Sequence, residues 1–415
     1  MGVRALQSTV AIASFWLVSA TALADTSGIS WLSLSGFGTL AAVHSSEHQA
    51  DFTSSYLKPD GAGATHAWSA DVDSLIAGQL TVAPGSQFSA VVQVISEQLY
   101  DNTYRPHIEW ANVKYQPTPE FSVRVGRIVL PCFLFSDTRK VGYANPWVRP
   151  PVEVYNLVPI SNSDGIDASY RFRSGELEQT LTGSYGKSDT RLPPNVGGSA
   201  HGRDMWLLSD TIEYGALSAH LAYQSVVLTV PGLNAVFDGM RYFGAQGIAL
   251  ADRYEQVDKH ARFIGVGAQY SPGNWFLMGE WGNTNYHSVL GEKTAWYAST
   301  GYRWALVTPY VTYSTSRANG ATSDPGLTLT GLPPALIGPA TALNAGLNAL
   351  LSSAAAQRTM TGGARWDFAR NFSLKLQYDH LRLGAGSHGT LINMQPGFRA
   401  GGTVNLFSAS VDFIW

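Results

Sequence analysis

The sequence has a single cysteine, Cys132, so no disulfide bond can form within the chain. We interpret Cys132 as a free structural thiol rather than a reactive or metal-binding group. Charged residues are also scarce: they make up 14% of the chain, whereas water-soluble domains carry about a quarter. The formal net charge is only −3 at pH 7, which does not indicate a nucleic-acid partner. This composition suits an exported protein that is half wetted by lipid.

Long apolar runs are missing as well, apart from one near the N-terminus. Mean hydropathy is −0.03, which excludes a bundle of membrane-spanning helices but not a β-barrel, whose strands alternate lipid-facing and lumen-facing residues. Near the N-terminus, Arg4, the apolar run 10–20 and the site Ala22-Leu23-Ala24 form a secretory signal. The run is too short to be a transmembrane helix. We therefore predict a signal peptide at residues 1–24 and a mature chain of residues 25–415.

Short alternating segments fill the rest of the chain. In each of them apolar and polar residues alternate with a period of two, as in a strand with one apolar and one wet face. Phe372 and Leu374, for example, alternate with Ser373 and Lys375. We predict about 16 such strands. They cover residues 29–44, 73–83, 87–99, 107–116, 121–130, 165–173, 177–185, 204–214, 217–228, 260–270, 275–283, 293–304, 307–316, 358–368, 372–383 and 403–415.

The connections between these strands are of two kinds, which alternate along the chain. Most of the tight turns carry Gly, Pro or Asn, one lies at Ala305, and the other connections are longer. Short turns on one side and long loops on the other are typical of an outer-membrane barrel, and a soluble sandwich or propeller does not separate them in this way. The sequence therefore predicts an all-β, antiparallel, up-and-down transmembrane barrel. The longer loops cover residues 44–72, 100–106, 131–164, 186–203, 229–259, 284–292, 317–357 and 384–402.

Aromatic residues on the apolar face gather beside the tight turns. Strands favour aromatic residues in general, but this bunching at one end indicates a girdle at a membrane interface. The residues concerned are Tyr115, Phe121, Phe172, Tyr214, Tyr270, Trp275, Trp304, Trp366, Phe368, Phe372 and Trp415.

One segment, residues 131–164, does not alternate. It is too rich in Pro, Gly and Asn for a strand or a long helix, and its aromatic residues argue against disorder. Connections of this length are usually functional. We predict that the segment folds into the mouth of the barrel and narrows the pore.

Three stretches and the last strand resemble Gram-negative outer-membrane porins, in particular unassigned porin-like proteins of proteobacteria. The stretches are LSGFGT (34–39), RVGRIVLP (124–131) and VGYANPWVRPPVEVY (141–155). The last strand, VNLFSASVDFIW, resembles the C-terminal assembly signal of such barrels, with Trp415 where Phe is usual. The resemblance spans the mature chain. The segment 131–164 lacks the acidic motif of the enteric general porins, so their arrangement of charges is not carried over.

The resemblance implies a third long loop that lies in the lumen and acts as the constriction. It also implies location in the outer membrane of a Gram-negative bacterium, contact with lipid and lipopolysaccharide, and insertion by the barrel-assembly machinery through the C-terminal strand. Members of this family tend to form homotrimers.

The candidate site residues are charged groups on the segment and on the inner wall, where opposed charges set ion preference. The alternative for Arg149 and Glu153 is that they pair with each other or with the wall and hold the segment in place. Arg127 is out of step with Arg124, which indicates either a rim position or a bulge at Gly126. On the segment the candidates are Asp137, Arg139, Lys140, Arg149 and Glu153. On the wall, strand alternation selects Arg124, Arg171, Glu280, Lys293, Arg365, Lys375, Asp379 and Asp412.

No catalytic, phosphate-binding or metal-binding motif is present in the sequence, so we predict no enzyme activity, cofactor or metal site. The histidines His44, His48 and His66 of the first long loop are interpreted as solvated. The leading hypothesis is a porin for passive diffusion of ions and small hydrophilic solutes, with weak anion preference because basic residues are in slight excess on the segment. The alternatives are a substrate-selective channel with a binding site at the segment, a barrel enzyme and a structural or adhesive barrel.

Overall fold

The computed structural model describes residues 31–415, so the predicted signal peptide lies outside the described residues. The chain forms a barrel of long antiparallel strands, which we number β1 to β16. They are β1 Leu32–Ser45, β2 Leu75–Val82, β3 Phe88–Glu97, β4 His107–Tyr115, β5 Phe121–Val129, β6 Asn162–Ser174, β7 Leu177–Arg191, β8 Ser199–Tyr214, β9 Leu217–Thr229, β10 Lys259–Tyr270, β11 Trp275–Tyr286, β12 Lys293–Tyr302, β13 Val307–Ala318, β14 Gln357–Ala369, β15 Phe372–Leu383 and β16 Thr403–Ile414.

Each strand pairs with the next along the chain, and β16 pairs with β1 to close the barrel. Closure pairs both edges of each of the sixteen described strands, which is the condition for a sheet to lie in lipid. The predicted all-β, up-and-down barrel of 16 strands is therefore confirmed. In addition, three two-residue strands, Asp51–Phe52, Ala62–Gly63 and Trp68–Ser69, lie in the first long loop.

The two faces of the wall follow the predicted alternation. On β15, Phe372, Leu376 and Tyr378 are exposed on the outside, while Ser373 and Lys375 are buried inside. The predicted aromatic girdle also lies on the outer face. Its members are exposed, except Trp415, which is partly covered.

The connections confirm the separation into short turns and long loops. The turns include positions that need positive φ, such as Gly215 at +56° and Asn371 at +65°. One predicted loop is much shorter than expected: β7 and β8 continue through most of 186–203 and leave only residues 192–198 as a loop.

A four-residue helix, Val152–Tyr155, lies in the segment 131–164, and the longer helices come from two other loops on the long-loop side. We call Ala235–Arg241 α1, Gly244–Tyr254 α2 and Pro334–Ser352 α3. Their buried apolar residues form one cluster, which includes Phe237, Met240 and Leu347. By length and composition, helix α3 is long and apolar enough to cross a membrane. This differs from the expectation that the only long apolar run lies near the N-terminus.

Glycine and aromatic residues meet at the seam where the barrel closes. Gly38 faces Phe413 across the β1–β16 pair, and the backbone of Gly36 exchanges hydrogen bonds with that of Trp415 at 3.0 and 3.1 Å. A Cβ on Gly36 would lie 2.0 Å from the Trp415 ring, and one on Gly38 would lie 2.5 Å from the Phe413 ring. The rings therefore cover bare backbone, which is how aromatic residues stabilise glycine-containing strand pairs.

Gly36→Val should displace the Trp415 ring and lower the free energy of unfolding by about 1–3 kcal/mol, the usual cost of overpacking. The measurement is the temperature at which the folded, fast-migrating form is lost on gels. Gly78→Val is the matched control, because Gly78 pairs with Gly36 and has open space around its Cβ position. Equal melting of the two variants would show that the ring contact does not stabilise the seam.

Candidate functional site

The segment that connects β5 to β6, residues 130–161, lies inside the barrel, and we call it the inner loop. Its side chains and backbone form hydrogen bonds with inward-facing residues on nine of the sixteen strands. The wall partners include Glu97 on β3, Glu109 on β4, Gln224 on β9, Glu280 on β11, Ser299 on β12, Thr312 on β13, Thr359 on β14, Gln377 on β15 and Ser408 on β16. The inner loop therefore crosses the lumen.

One side of the inner loop is joined to the wall by an apolar core. Trp147 is at its centre, and its indole N–H reaches Ser299 and Thr312 at 3.0 Å each. Phe133 stacks on Tyr155 and meets Phe263 edge-on. The wall contributes apolar inward side chains from β8 to β13, so this part of the interior is not the polar lumen that the sequence predicts. These wall residues are Met205, Leu207, Ala222, Phe263, Phe276, Met278, Ala295, Tyr297 and Tyr310.

Cys132 belongs to this core. Its Sγ lies 3.4 Å from the side-chain oxygen of Gln224, and the residue is buried. Burial raises the pKa of the thiol, so Cys132 stays protonated and unreactive at neutral pH.

Arg149 and Glu153 anchor the inner loop to the wall. Arg149 is buried and binds Asp73 at 2.6 Å, Asp379 at 3.4 Å and Ser408 at 2.7 Å. Glu153 is also buried and accepts hydrogen bonds from Gln357 and Thr359. The two residues do not pair with each other, so the geometry is that of the alternative in which they hold the loop to the wall.

Several wall charges are covered by the inner loop. Lys375 and Asp412 are fully buried and 3.0 Å apart, and the ammonium of Lys375 also donates to the carbonyls of Gly142 and Trp147 at 2.6 and 2.7 Å. Lys375 and Asp412 therefore lie beneath the inner loop and do not face open water, and each has the partner that a buried charge needs.

Glu280 and Arg365 hold other parts of the inner loop. Glu280 is buried and accepts hydrogen bonds from the hydroxyls of Tyr155 and Tyr297 at 2.7 and 2.9 Å and from the backbone N–H of Leu134 at 2.7 Å. Arg365 donates to loop carbonyls, lies over the Tyr143 ring and pairs with Asp367 at 2.7 Å.

Opposite the apolar core, the inner loop leaves a cavity of about 450 Å³. Its lining comes from β1 to β7, the first two long loops and the near side of the inner loop. Lys140 points to this side and binds Glu97 at 2.6 Å and Glu109 at 2.9 Å. Burial alone would lower the pKa of Lys140, but the two carboxylates raise it above its ordinary value, so the ammonium stays charged.

Arg139 lines the same cavity but binds backbone groups. It donates to the carbonyls of Val158 at 3.3 Å and Ile160 at 3.0 Å, and its guanidinium carbon lies 5.4 Å from the centre of the Tyr155 ring. Within residues 31–415 no carboxylate forms a salt bridge with it. Its positive charge is therefore not neutralised by a direct ion pair.

The remaining candidates are partly or fully exposed on the inner side. Arg124 pairs with Asp167 at 2.8 Å, Arg171 pairs with Glu178 at 3.0 Å, and Lys293 lies over the Tyr56 ring. Asp137 is exposed, in the first turn of a short 3-10 helix.

The structure adds cavity residues that sequence reasoning missed, chiefly Lys58, Glu97 and Glu109. Arg127 also lines the cavity and pairs with Asp164 at 2.7 Å. Gly126, next to it, has φ of +129° and no room for a Cβ beside the carbonyl of Ala111, but the strand pairing runs through Gly126 without a register shift. Arg127 lies near the long-loop end of β5, so the geometry is that of the rim alternative and not of a bulge.

No family model matches the sequence, and no curated protein matches it either. The fold, however, is similar to that of solved barrels. OmpF of Salmonella typhi shares 12% identity with a TM-score of 0.54, over 92% of this chain and 97% of that one. The anion-selective porin of Comamonas acidovorans shares 13% identity with a TM-score of 0.53, over 92% and 99%. The outer-membrane channel DcaP of Acinetobacter baumannii shares 11% identity with a TM-score of 0.54, over 92% and 97%. The chain therefore has the fold of the general porins, a closed barrel of 16 antiparallel strands.

Proposed function

We propose that the protein is an outer-membrane porin, a water-filled channel for passive diffusion of ions and small hydrophilic solutes. The observation that carries the proposal is the cavity of about 450 Å³ between the inner loop and the wall, inside a barrel with an apolar outer face. An apolar outer face suits lipid, and a cavity whose lining includes Lys58, Glu97 and Glu109 suits water and ions. Structures of similar fold are porins and an outer-membrane channel by name, which supports the same proposal.

The proposal places the protein in the outer membrane of a Gram-negative bacterium, after removal of residues 1–24. The outer face would contact lipid and lipopolysaccharide, and the C-terminal strand would be read by the barrel-assembly machinery. A homotrimer is part of this proposal. The charges around the cavity would set ion preference, while the covered residues would hold the inner loop in place.

The direct test is a planar bilayer recording with a salt gradient. We expect discrete single-channel steps with a small conductance, because the inner loop confines the passage to one side of the lumen. A folded, inserted protein that gives no conductance would overturn the channel and favour a structural or adhesive barrel.

A substrate-selective channel is the second candidate. It is favoured by the cavity lining, where Arg139 and Lys140 on the inner loop lie near Glu97 and Glu109 on the wall. Such an arrangement can bind a solute that carries charges of both signs. Saturable block of the current by one class of solute would support this candidate over unselective diffusion.

Arg139→Gln should move the reversal potential toward cation preference, because Arg139 is a cavity cation with no salt bridge to cancel its charge. In a narrow passage screening is incomplete, so one charge acts strongly on a passing ion. Arg317→Gln is the matched control, since Arg317 is an exposed residue near the long-loop end of β13. Identical reversal potentials for both variants would show that passing ions do not experience the charge of Arg139.

A further inference from the structure

Three metal-ligating side chains converge on one point of the cavity wall. They are Glu97 at the end of β3 and His107 and Glu109 at the start of β4, and one ligand atom of each lies within 4.8 Å of the others. Nε2 of His107 is 3.7 Å from a carboxylate oxygen of Glu97 and 4.0 Å from one of Glu109. All three residues line the cavity of about 450 Å³, so an ion in the lumen can reach them.

The strand register brings the three groups together. Ile95 pairs with His107, and the register shifts between Gln93 and Val94, which leaves Glu109 without a partner residue on β3. His107 and Glu109 are two residues apart, so they share the inner face of β4. Sequence spacing alone does not reveal this site, because Glu97 reaches it from the neighbouring strand.

The point of convergence is already a cation position. The ammonium of Lys140 lies there, 2.6 Å from Glu97 and 2.9 Å from Glu109. The hydroxyl of Ser161 donates to the other oxygen of Glu109 and orients that carboxylate. Nε2 of His107 faces the two carboxylates, while Nδ1, on the other side of the ring, is buried and has no hydrogen-bond partner within the described chain.

We propose that Glu97, His107 and Glu109 form a binding site for a divalent transition-metal ion such as Zn²⁺, which displaces the ammonium of Lys140. One imidazole nitrogen with carboxylate oxygens suits zinc, whereas magnesium and calcium prefer oxygen ligands alone. Three protein ligands leave a fourth position for water from the cavity. This site goes beyond conduction of solutes and does not depend on it.

Charge favours the replacement of the Lys140 ammonium by a divalent ion. Lys140 neutralises only one of the two carboxylate charges, while a divalent ion neutralises both and adds the imidazole as a ligand. The displaced ammonium can turn into the adjoining cavity, where it adds a positive charge to the passage. Zinc should therefore bind and also move the reversal potential toward anion preference. Removing Lys140 should strengthen zinc binding, because its competitor is gone.

The test is a calorimetric titration of zinc chloride into the folded, detergent-solubilised protein at neutral pH. We expect Lys140→Met to bind zinc at least about tenfold more tightly than the parent. His107→Ala should weaken binding at least about tenfold in both the parent and the Lys140→Met background, because one of three inner ligands is lost. Retention of the fast-migrating gel form verifies that each variant is folded.

His66→Ala is the matched control. His66 belongs to a second cluster with Asp60 and Asp71, whose ligand atoms also lie within 4.8 Å, but the two carboxylates there bind Gln98, Asn102 and Tyr104. His66→Ala should leave zinc affinity and the zinc-dependent shift of the reversal potential unchanged. The proposal is overturned if zinc affinity is indifferent to His107→Ala, if Lys140→Met binds no more tightly than the parent, or if His66→Ala abolishes the zinc signal.

Discussion

Replacement of Val141–Pro151 by a short Gly-Ser linker is expected to raise the single-channel conductance at least about twofold. This part of the inner loop carries Trp147, which holds the apolar core, and Arg149, which binds Asp73 and Asp379. Without it, the covered side of the interior opens into the cavity of about 450 Å³, and the passage widens. The measurement is the conductance of single channels in planar bilayers at fixed salt.

The control for this variant is deletion of Gly320–Ser323, four exposed residues in the loop between β13 and β14. That deletion shortens a long loop without touching the lumen, so its conductance should match the parent. An inner-loop variant that stays folded and conducts like the parent would show that current does not pass beside the inner loop.

The barrel could be predicted from the sequence because lipid and water impose a period of two on each strand. Outside the membrane this period is not required, and there the predicted strand ends were wrong. β7 continues to Arg191 and β8 begins at Ser199, although residues 186–203 read as a loop. Lys187 and Asp189 are polar and exposed in this stretch, so no apolar face marked it as a strand. β7 and β8 therefore continue beyond the part of the wall where an apolar outer face is required.

The inner loop was also predictable as an unusual segment, but its contacts were not. Its charges could be named from the sequence, whereas their partners depend on which wall residues the folded loop reaches. Arg149, for example, binds Asp73 and Asp379, which are far apart in the chain. The apolar inner wall was missed because Phe276 and Met278 point inward on a strand whose outer residues are also apolar. Alternation cannot distinguish the two faces there.

Lys375→Met is expected to lower the free energy of unfolding by about 3–5 kcal/mol, the usual cost of leaving one charge of a buried pair unpaired. Lys375 and Asp412 are both fully buried and 3.0 Å apart, so the variant strands the carboxylate beneath the inner loop. The double variant Lys375→Met with Asp412→Leu should recover part of the loss, because no charge is then left unpaired. The measurement is the midpoint of guanidinium unfolding, followed by tryptophan fluorescence.

Arg173→Met serves as the control for removal of a cation, because Arg173 is mostly exposed and pairs with Glu178 near the turn between β6 and β7. Exposed ion pairs contribute little, so this variant should unfold close to the parent. The comparison separates two states of the inner wall. If the wall beneath the inner loop were wet, water would solvate Asp412 and Lys375→Met would behave like Arg173→Met. If the contact between the inner loop and the wall is dry, only Lys375→Met should show a large loss of unfolding free energy. Solutes would then have to pass through the cavity beside Lys140.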